Sequence, residues 1–266
     1  MADAQVPASR TARERARAEL TREIKEEARR QLAATGADGL SLRAVARALG
    51  MVSSALYRYY PSRDDLLTAL IIDAYNALGE AAEQAIAPGA ADRGDGGDDG
   101  GAAGGVARGV AGGAARARWI AACYAIRAWA TANPHEYALI YGSPVPGYRA
   151  PEATIGPATR VPLAFVSLIA TAAAGGELVD ESADPGRGAG PLPVGGDLAA
   201  QAVSLAAALD TPEVPPGVLV RGVIAWTQLF GMISFELFGQ FVGSFDPPDA
   251  LFAYAVGQLA AFVGLR

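Results

Sequence analysis

The chain has 266 residues, enough for one large core or for a small and a medium domain. Hydrophobic residues make up 51% and aromatic ones only 8%, a mix that suits packed helices better than sheets. The net charge of −6 speaks against a wholly nucleic-acid-coated surface. However, residues 1–66 carry 12 basic and 9 acidic side chains and the remainder 10 and 19, a mildly basic head on an acidic body. A single histidine (His135) leaves no room for a His-rich metal site, and a single cysteine (Cys123) excludes an internal disulfide.

In chain order, the first predicted element is a charged helix from Arg10 to Thr35, with Leu20, Ile24, Ala28 and Leu32 along one side. Gly36, Asp38 and Gly39 break it. Ser41 is an expected N-cap, and Val45 and Leu49 then share an apolar face. Gly50 ends this helix at a tight turn, and a second short helix is expected from Ser53 to Tyr59, with Leu56 pointing back toward Val45 and Leu49. Ala46, four residues before Gly50, is small enough for the two helices to cross closely. These offsets describe a helix-turn-helix, with Tyr60 in its core. Ser62 caps a long helix that reaches about Ala87, with Asp64 and Asp65 in its first turn, where the helix dipole favours negative charge.

Residues 88–113 are rich in Gly, Ala and Asp and lack aromatics, so they read as a disordered loop. Helical character resumes near Ala114. Asn133-Pro134-His135-Glu136 reads as the start of a short helix ending near Gly142, with Asn133 at the cap and Glu136 in a capping position. Residues 143–157 are a Pro/Gly-rich crossing, Val161–Ala174 an apolar helix, and 175–196 a second loose loop. A helix at Asp197–Leu209 precedes two apolar ones, at about Val218–Gly239 and Pro248–Val263. Both are apolar all round, so each should bury more than one side, one of them against a second copy of the chain; a single large monomeric core is the alternative.

The run from Leu40 to about Leu70 resembles the DNA-binding domain of the TetR family of transcriptional regulators. The carrying residues are Leu42, Val45, Ala46, Leu49, Gly50, Leu56, Tyr57, Tyr60, Pro61, Arg63, Leu66 and Leu67, within which ALYRYYPSRDDLL matches the family signature. The implied fold is all-α: an N-terminal three-helix helix-turn-helix domain, residues 1–66, and a helical ligand-binding and dimerisation domain, residues 67–266. The implied partners are double-stranded DNA with a palindromic operator, a second copy through the last two helices, and a small-molecule effector; no cofactor is implied.

By position in the family's motif, Ser53, Ser54 and Ala55 face the bases, Tyr57 and Tyr59 take phosphate or edge contacts, and Arg63 matches a phosphate-binding position. Arg43 is placed to reach a phosphate or a guanine. Arg58 suits a phosphate or open solvent equally. Arg10, Arg13, Arg15 and Arg17 could enter an adjacent minor groove, although a solvated helix end is the ordinary reading.

In the body, WTQLFG at Trp226–Gly231 resembles the Trp-x-x-x-His-Gly stretch of one TetR subgroup with Phe230 in place of the His, and YGSPVPGY at 141–148 also resembles that subgroup. The missing His removes a polar handle. Candidate pocket residues are Tyr124, Trp129, Tyr141, Phe165, Trp226 and Phe230, a lining that suits an apolar effector, although aromatics on helices are more often plain core than pocket lining. Glu236 stands on an otherwise apolar helix and needs a partner, either a ligand donor or Arg221 of either chain.

The longest strongly apolar runs, Val161–Ala174 and Gly222–Phe235, are 14 residues each, short for a bilayer, and no signal-peptide core opens the chain. A cytoplasmic protein is expected. No phosphate-binding glycine loop or nucleophile–base pattern points to an enzyme, and Cys123 in an apolar helix reads as buried. The resemblance implies a repressor; the alternative to a DNA-binding regulator is a helical interaction or ligand-binding dimer that has lost DNA binding.

Overall fold

A computed structural model describes the backbone of residues 8–89, 113–179 and 194–266, with side chains from residue 12 onward. Most of the two expected loops, and the Arg10 side chain, lie outside the described residues. Among the described residues all regular structure is helical, apart from one isolated β-bridge between Leu178 and Leu265. The helices are α1 (Ala8–Thr35), α2 (Leu42–Ala48), α3 (Ser53–Leu56), α4 (Arg63–Ile86), α5 (Ala114–Ala132), α6 (Pro134–Tyr141), α7 (Ile155–Ala174), α8 (Gly196–Ala208), α9 (Pro216–Leu237) and α10 (Asp249–Val263).

The chain divides into two compact units. The first comprises residues 1–75 and 133–155, the second 76–132 and 156–266. The first unit is thus larger than the expected head of residues 1–66. Its core joins Ile24, Ala28 and Leu32 of α1, Leu42, Val45 and Ala46 of α2, Leu56, Tyr60, and Leu66, Leu67, Leu70 and Ile71 of α4. Leu139, Ile140, Val145 and Tyr148 pack against that same core, and this is why α6 and the segment after it belong to the head. Polar contacts reinforce the attachment. The Arg29 guanidinium donates to Glu136 and Asp73, each at 2.8 Å, and the Thr68 and Tyr148 hydroxyls meet at 2.9 Å. Glu136 is therefore spent on Arg29 and not on capping α6, and Asn133 makes no side-chain cap bond there.

In the second unit, the C-terminal part of α4 crosses α7 closely. A Cβ on Gly79 would lie 2.7 Å from Cβ of Arg160, so only glycine fits. The Arg160 guanidinium spans the crossing, donating to both Glu83 carboxylate oxygens at 2.8 and 2.6 Å and to the Asn76 carbonyl at 2.9 Å. Helix α7 begins at Ile155, six residues earlier than expected. Pro157 is tolerated because first-turn N–H groups have no helical acceptor, and Pro162 is carried inside the helix. A short strap closes the end of the chain: Val179 N–H donates to Gly264 O at 2.8 Å, and Gly113 N–H to Arg266 O at 2.7 Å.

Glu152–Ala174 and Pro216–Leu237 are long and apolar enough, by length and composition alone, to cross a membrane. The 14-residue runs underestimated them, because each helix continues past its strongly apolar stretch. Both carry buried core faces in the second unit: Val161, Phe165, Leu168 and Ile169 on α7, and Val218, Ala225, Leu229 and Ile233 on α9.

Candidate nucleic-acid interface

The helix-turn-helix is built as its local chemistry dictates. The Ser41 hydroxyl accepts from Ala44 N–H at 3.4 Å and so caps α2. Gly50 turns the chain at φ +65°, a left-handed conformation that glycine adopts without strain. Met51 N–H then donates to the carbonyl of buried Ala46 at 2.8 Å. The recognition helix is shorter than expected. Regular helix covers Ser53–Leu56, and residues 57–59 continue as turns, with Arg58 and Tyr59 N–H donating three residues back to Ala55 and Leu56. Leu56 is fully buried, and this fixes which side of α3 faces outward.

That outward side carries the expected residues. Ser53 and Ser54 are exposed, Ala55 is half-buried, and Tyr57 is 42% exposed. Arg43 and Arg47 on α2 and Arg58 after α3 are exposed as well. Tyr59 is half-buried against the core, and the Arg17 guanidinium stands over its ring, 5.4 Å from the centroid. Tyr60 is core, and burial raises its phenol pKa.

Arg63 differs from the others. Its Nη2 donates to the Ala37 carbonyl at 2.7 Å, tying the start of α4 to the turn after α1. The neighbouring cap is reciprocal: Asp65 N–H donates to the Ser62 hydroxyl at 3.1 Å, and Ser62 N–H to the Asp65 carboxylate at 2.9 Å. Arg63 thus has a structural task in the head whatever else it touches. Arg47, which sequence reasoning passed over, is a further exposed cation on α2.

The six candidate pocket residues are divided between the two units. Tyr141 belongs to the first unit, where its ring sits 5.3 Å from Tyr137 and 6.1 Å from Tyr75, and burial first, then these tyrosines, raise its pKa. The others lie in the second unit. Phe165 lies tilted against Trp119 with centroids 4.6 Å apart, Trp226 meets Phe230 edge-on at 6.0 Å, and Tyr124 meets Phe252 at 5.3 Å. Trp129 is half-buried on α5. A groove of about 500 Å³ is lined by Tyr124, Arg127, Thr131 and Asp249.

Glu236 finds a partner on another helix of the same chain. Arg127 of α5 donates to both of its oxygens at 2.8 Å and to Asp249 at 2.9 Å, while stacking over Phe252 at 4.7 Å. The hydrogen bonds to Glu236 are the main reason the guanidinium pKa is raised. Arg127 lay unnoticed because it stands 109 residues from its partner. Cys123 is fully buried, and desolvation pushes its thiol far above the ordinary range, so it is no nucleophile at neutral pH.

Comparison with known proteins agrees with this geometry. Residues 24–70 match the family model described as "Bacterial regulatory proteins, tetR family". Residues 119–259, more than half of the chain, match "Tetracyclin repressor-like, C-terminal domain". HTH-type transcriptional regulators of Mycobacterium tuberculosis (Rv1816) and Mycobacterium bovis (Mb1846) are 40% identical over 233 residues, covering 85% of this chain and 84% of each relative. The crystal structure of SCO4313, described as a regulatory protein, is 32% identical with a TM-score of 0.66, covering 93% of this chain and 98% of the other. A TetR family regulator from Shewanella, 18% identical with a TM-score of 0.50 over 92% of this chain and 95% of its own, shares the fold. The chain belongs to the TetR family of transcriptional regulators.

Proposed function

We propose that this regulator is a repressor that binds a palindromic operator as a homodimer and is released by a small apolar effector held in its helical body. The observation that carries the DNA half is the outward face of α2 and α3: Ser53, Ser54 and Tyr57 stand exposed between Arg43, Arg47 and Arg58. Ser53, Ser54 and Ala55 meet base edges. Their short side chains read little alone, so Arg43 and Tyr57 supply much of the discrimination and Arg47 and Arg58 neutralise phosphates. Tyr59, steadied by Arg17, adds an edge contact, and Arg63 sets the angle of α4.

Dimerisation uses the last two helices. Val223, Ile224 and Phe235 of α9 and Tyr254 and Phe262 of α10 are exposed large apolar residues in the single chain, and a four-helix contact with a second copy covers them. Two-fold pairing places the recognition helices about 34 Å apart, one turn of duplex.

Incubating the protein with sheared genomic DNA of its source organism at about 0.1 M salt, where non-specific binding is already weakened, tests this reading. Retained fragments should share an imperfect palindrome that an Arg43→Ala/Tyr57→Ala variant does not enrich. Retention without a shared site in the wild type would count against it.

A further inference from the structure

Glycine inside a helix weakens it relative to alanine, so each such glycine asks for a reason. Two glycines of α9 contrast in this respect. Gly222 faces a neighbour: a Cβ there would lie 3.1 Å from the Ile169 side chain of α7. Gly231 has no such reason within its own chain. It lies in regular helix, which any residue adopts, it is exposed, and a Cβ on it would meet no atom within 4 Å.

The surface around Gly231 supplies the reason. Ile224, Gln228, Gly231, Phe235 and Phe238 follow one another at steps of four, three, four and three residues, and all of them are exposed. That alternation of steps is the seam along which one helix packs lengthwise on another. Helix α10 repeats it with Tyr254, Gln258 and Ala261, again all exposed. Neither seam carries a charge, so each accepts a copy of itself. The aromatics of this surface, Phe235, Phe238, Tyr254 and Phe262, are 53%, 47%, 69% and 38% exposed. At about 200 Å² per aromatic side chain they leave about 400 Å² uncovered, half of the roughly 800 Å² that each partner gives to a standard interface. The spacing calls for a helix and the area for a whole subunit, and a second copy brings both.

We propose that a helix of a second copy crosses α9 at Gly231, whose missing side chain sets the closest approach of the two subunits. The inference rests on the reading that α9 and α10 form the dimer contact, and deepens it by naming the position on which the packing turns. The separation of packed helices follows the size of the side chains at the crossing. Atoms added at position 231 therefore push the subunits apart and lift Phe235 and Ile224, one turn and two turns away, out of contact.

Sedimentation of the full chain over a dilution series tests this, with Gly231→Ala, Gly231→Met and Tyr254→Asp beside the wild type and circular dichroism confirming that each is folded. Were Gly231 to face solvent, both of its variants would strengthen α9, since Ala and Met are better helix formers, and leave association unchanged. Under the proposal the wild type is a dimer, Gly231→Ala raises its dissociation constant about tenfold by forcing a methyl into the contact from each side, and Gly231→Met is monomeric over the same range. Should Gly231→Met fail to fold, Gly231→Ala, which has room within its own chain, still decides. Unchanged association of the Gly231 variants, with Tyr254→Asp dissociating the dimer, overturns the crossing at Gly231 and leaves the α9–α10 contact standing. A wild-type monomer, or a dimer that none of the three variants weakens, overturns both.

Discussion

Replacing Arg127 with methionine strips Glu236 of both its donors. The side chains of Arg127 and Glu236 are only 13% and 15% exposed, so water cannot easily replace the lost bonds. Removing one partner of a fully buried ion pair costs about 3–5 kcal/mol, because the survivor is an uncompensated charge. The residual exposure of Glu236 lowers that, while loss of the stack on Phe252 adds about 0.5–1 kcal/mol. Together they give about 3 kcal/mol for Arg127→Met. Asp249 contributes little, since it is 69% exposed and solvates freely once released. The double variant Arg127→Met/Glu236→Leu removes both charges at once and should return to within about 1 kcal/mol of the wild type. Urea unfolding followed by circular dichroism, at one fixed protomer concentration, measures both. A single-variant loss below about 0.5 kcal/mol, or a double variant worse than the single, would refute the role given to this pair.

Three further outcomes are expected. Gly79→Ala would ordinarily stabilise a helix by about 0.5–1 kcal/mol; here the 2.7 Å approach to Arg160 should reverse the sign, and a raised melting temperature would show that the α4–α7 crossing is looser than described. Cys123 should resist Ellman's reagent in the native protein and react fully in urea; because its folded-state pKa is raised, its contribution to stability is intact below the ordinary thiol pKa and is lost as pH rises beyond it, so stability should fall above about pH 9. Prompt native labelling would contradict its burial. Arg17→Ala should weaken operator binding several-fold by releasing Tyr59, with Arg17→Lys restoring part of it as the lesser cation–π partner, whereas Arg22→Ala, whose side chain is engaged by Glu19 and Glu26, should leave binding unchanged. Equal effects of the two alanine variants would reduce Arg17 to a general charge.

What the sequence disclosed was mostly local. The Ser41 cap, the Gly50 turn and the Ser62 cap each depend on residues within four positions of one another, and each is in place. The Ile24–Ala28–Leu32 stripe and buried Tyr60 followed from helical spacing. Longer-range facts were hidden. Glu236 announced itself as a carboxylate on an apolar helix, yet nothing in the spacing pointed to Arg127. The bond from Arg63 to the backbone carbonyl of Ala37 has no sequence signature. The head's claim on residues 133–155 rests on Arg29 reaching Glu136 across 107 positions and on Leu139 and Ile140 joining its core. The six aromatics were grouped by type, and the fold distributes them between two units, one of them partnered by Trp119.

Operator affinity as a function of salt tests most directly whether the exposed face of α2 and α3 holds duplex DNA. With Arg47 and Arg58 from each subunit on phosphates, log affinity should fall with log salt at a slope of about −3.6. Arg47→Ala should make that slope shallower by about 2 units across the dimer and weaken all sequences alike. A slope near zero, or one that Arg47→Ala and Arg58→Ala both leave unchanged, would place the DNA elsewhere on the protein.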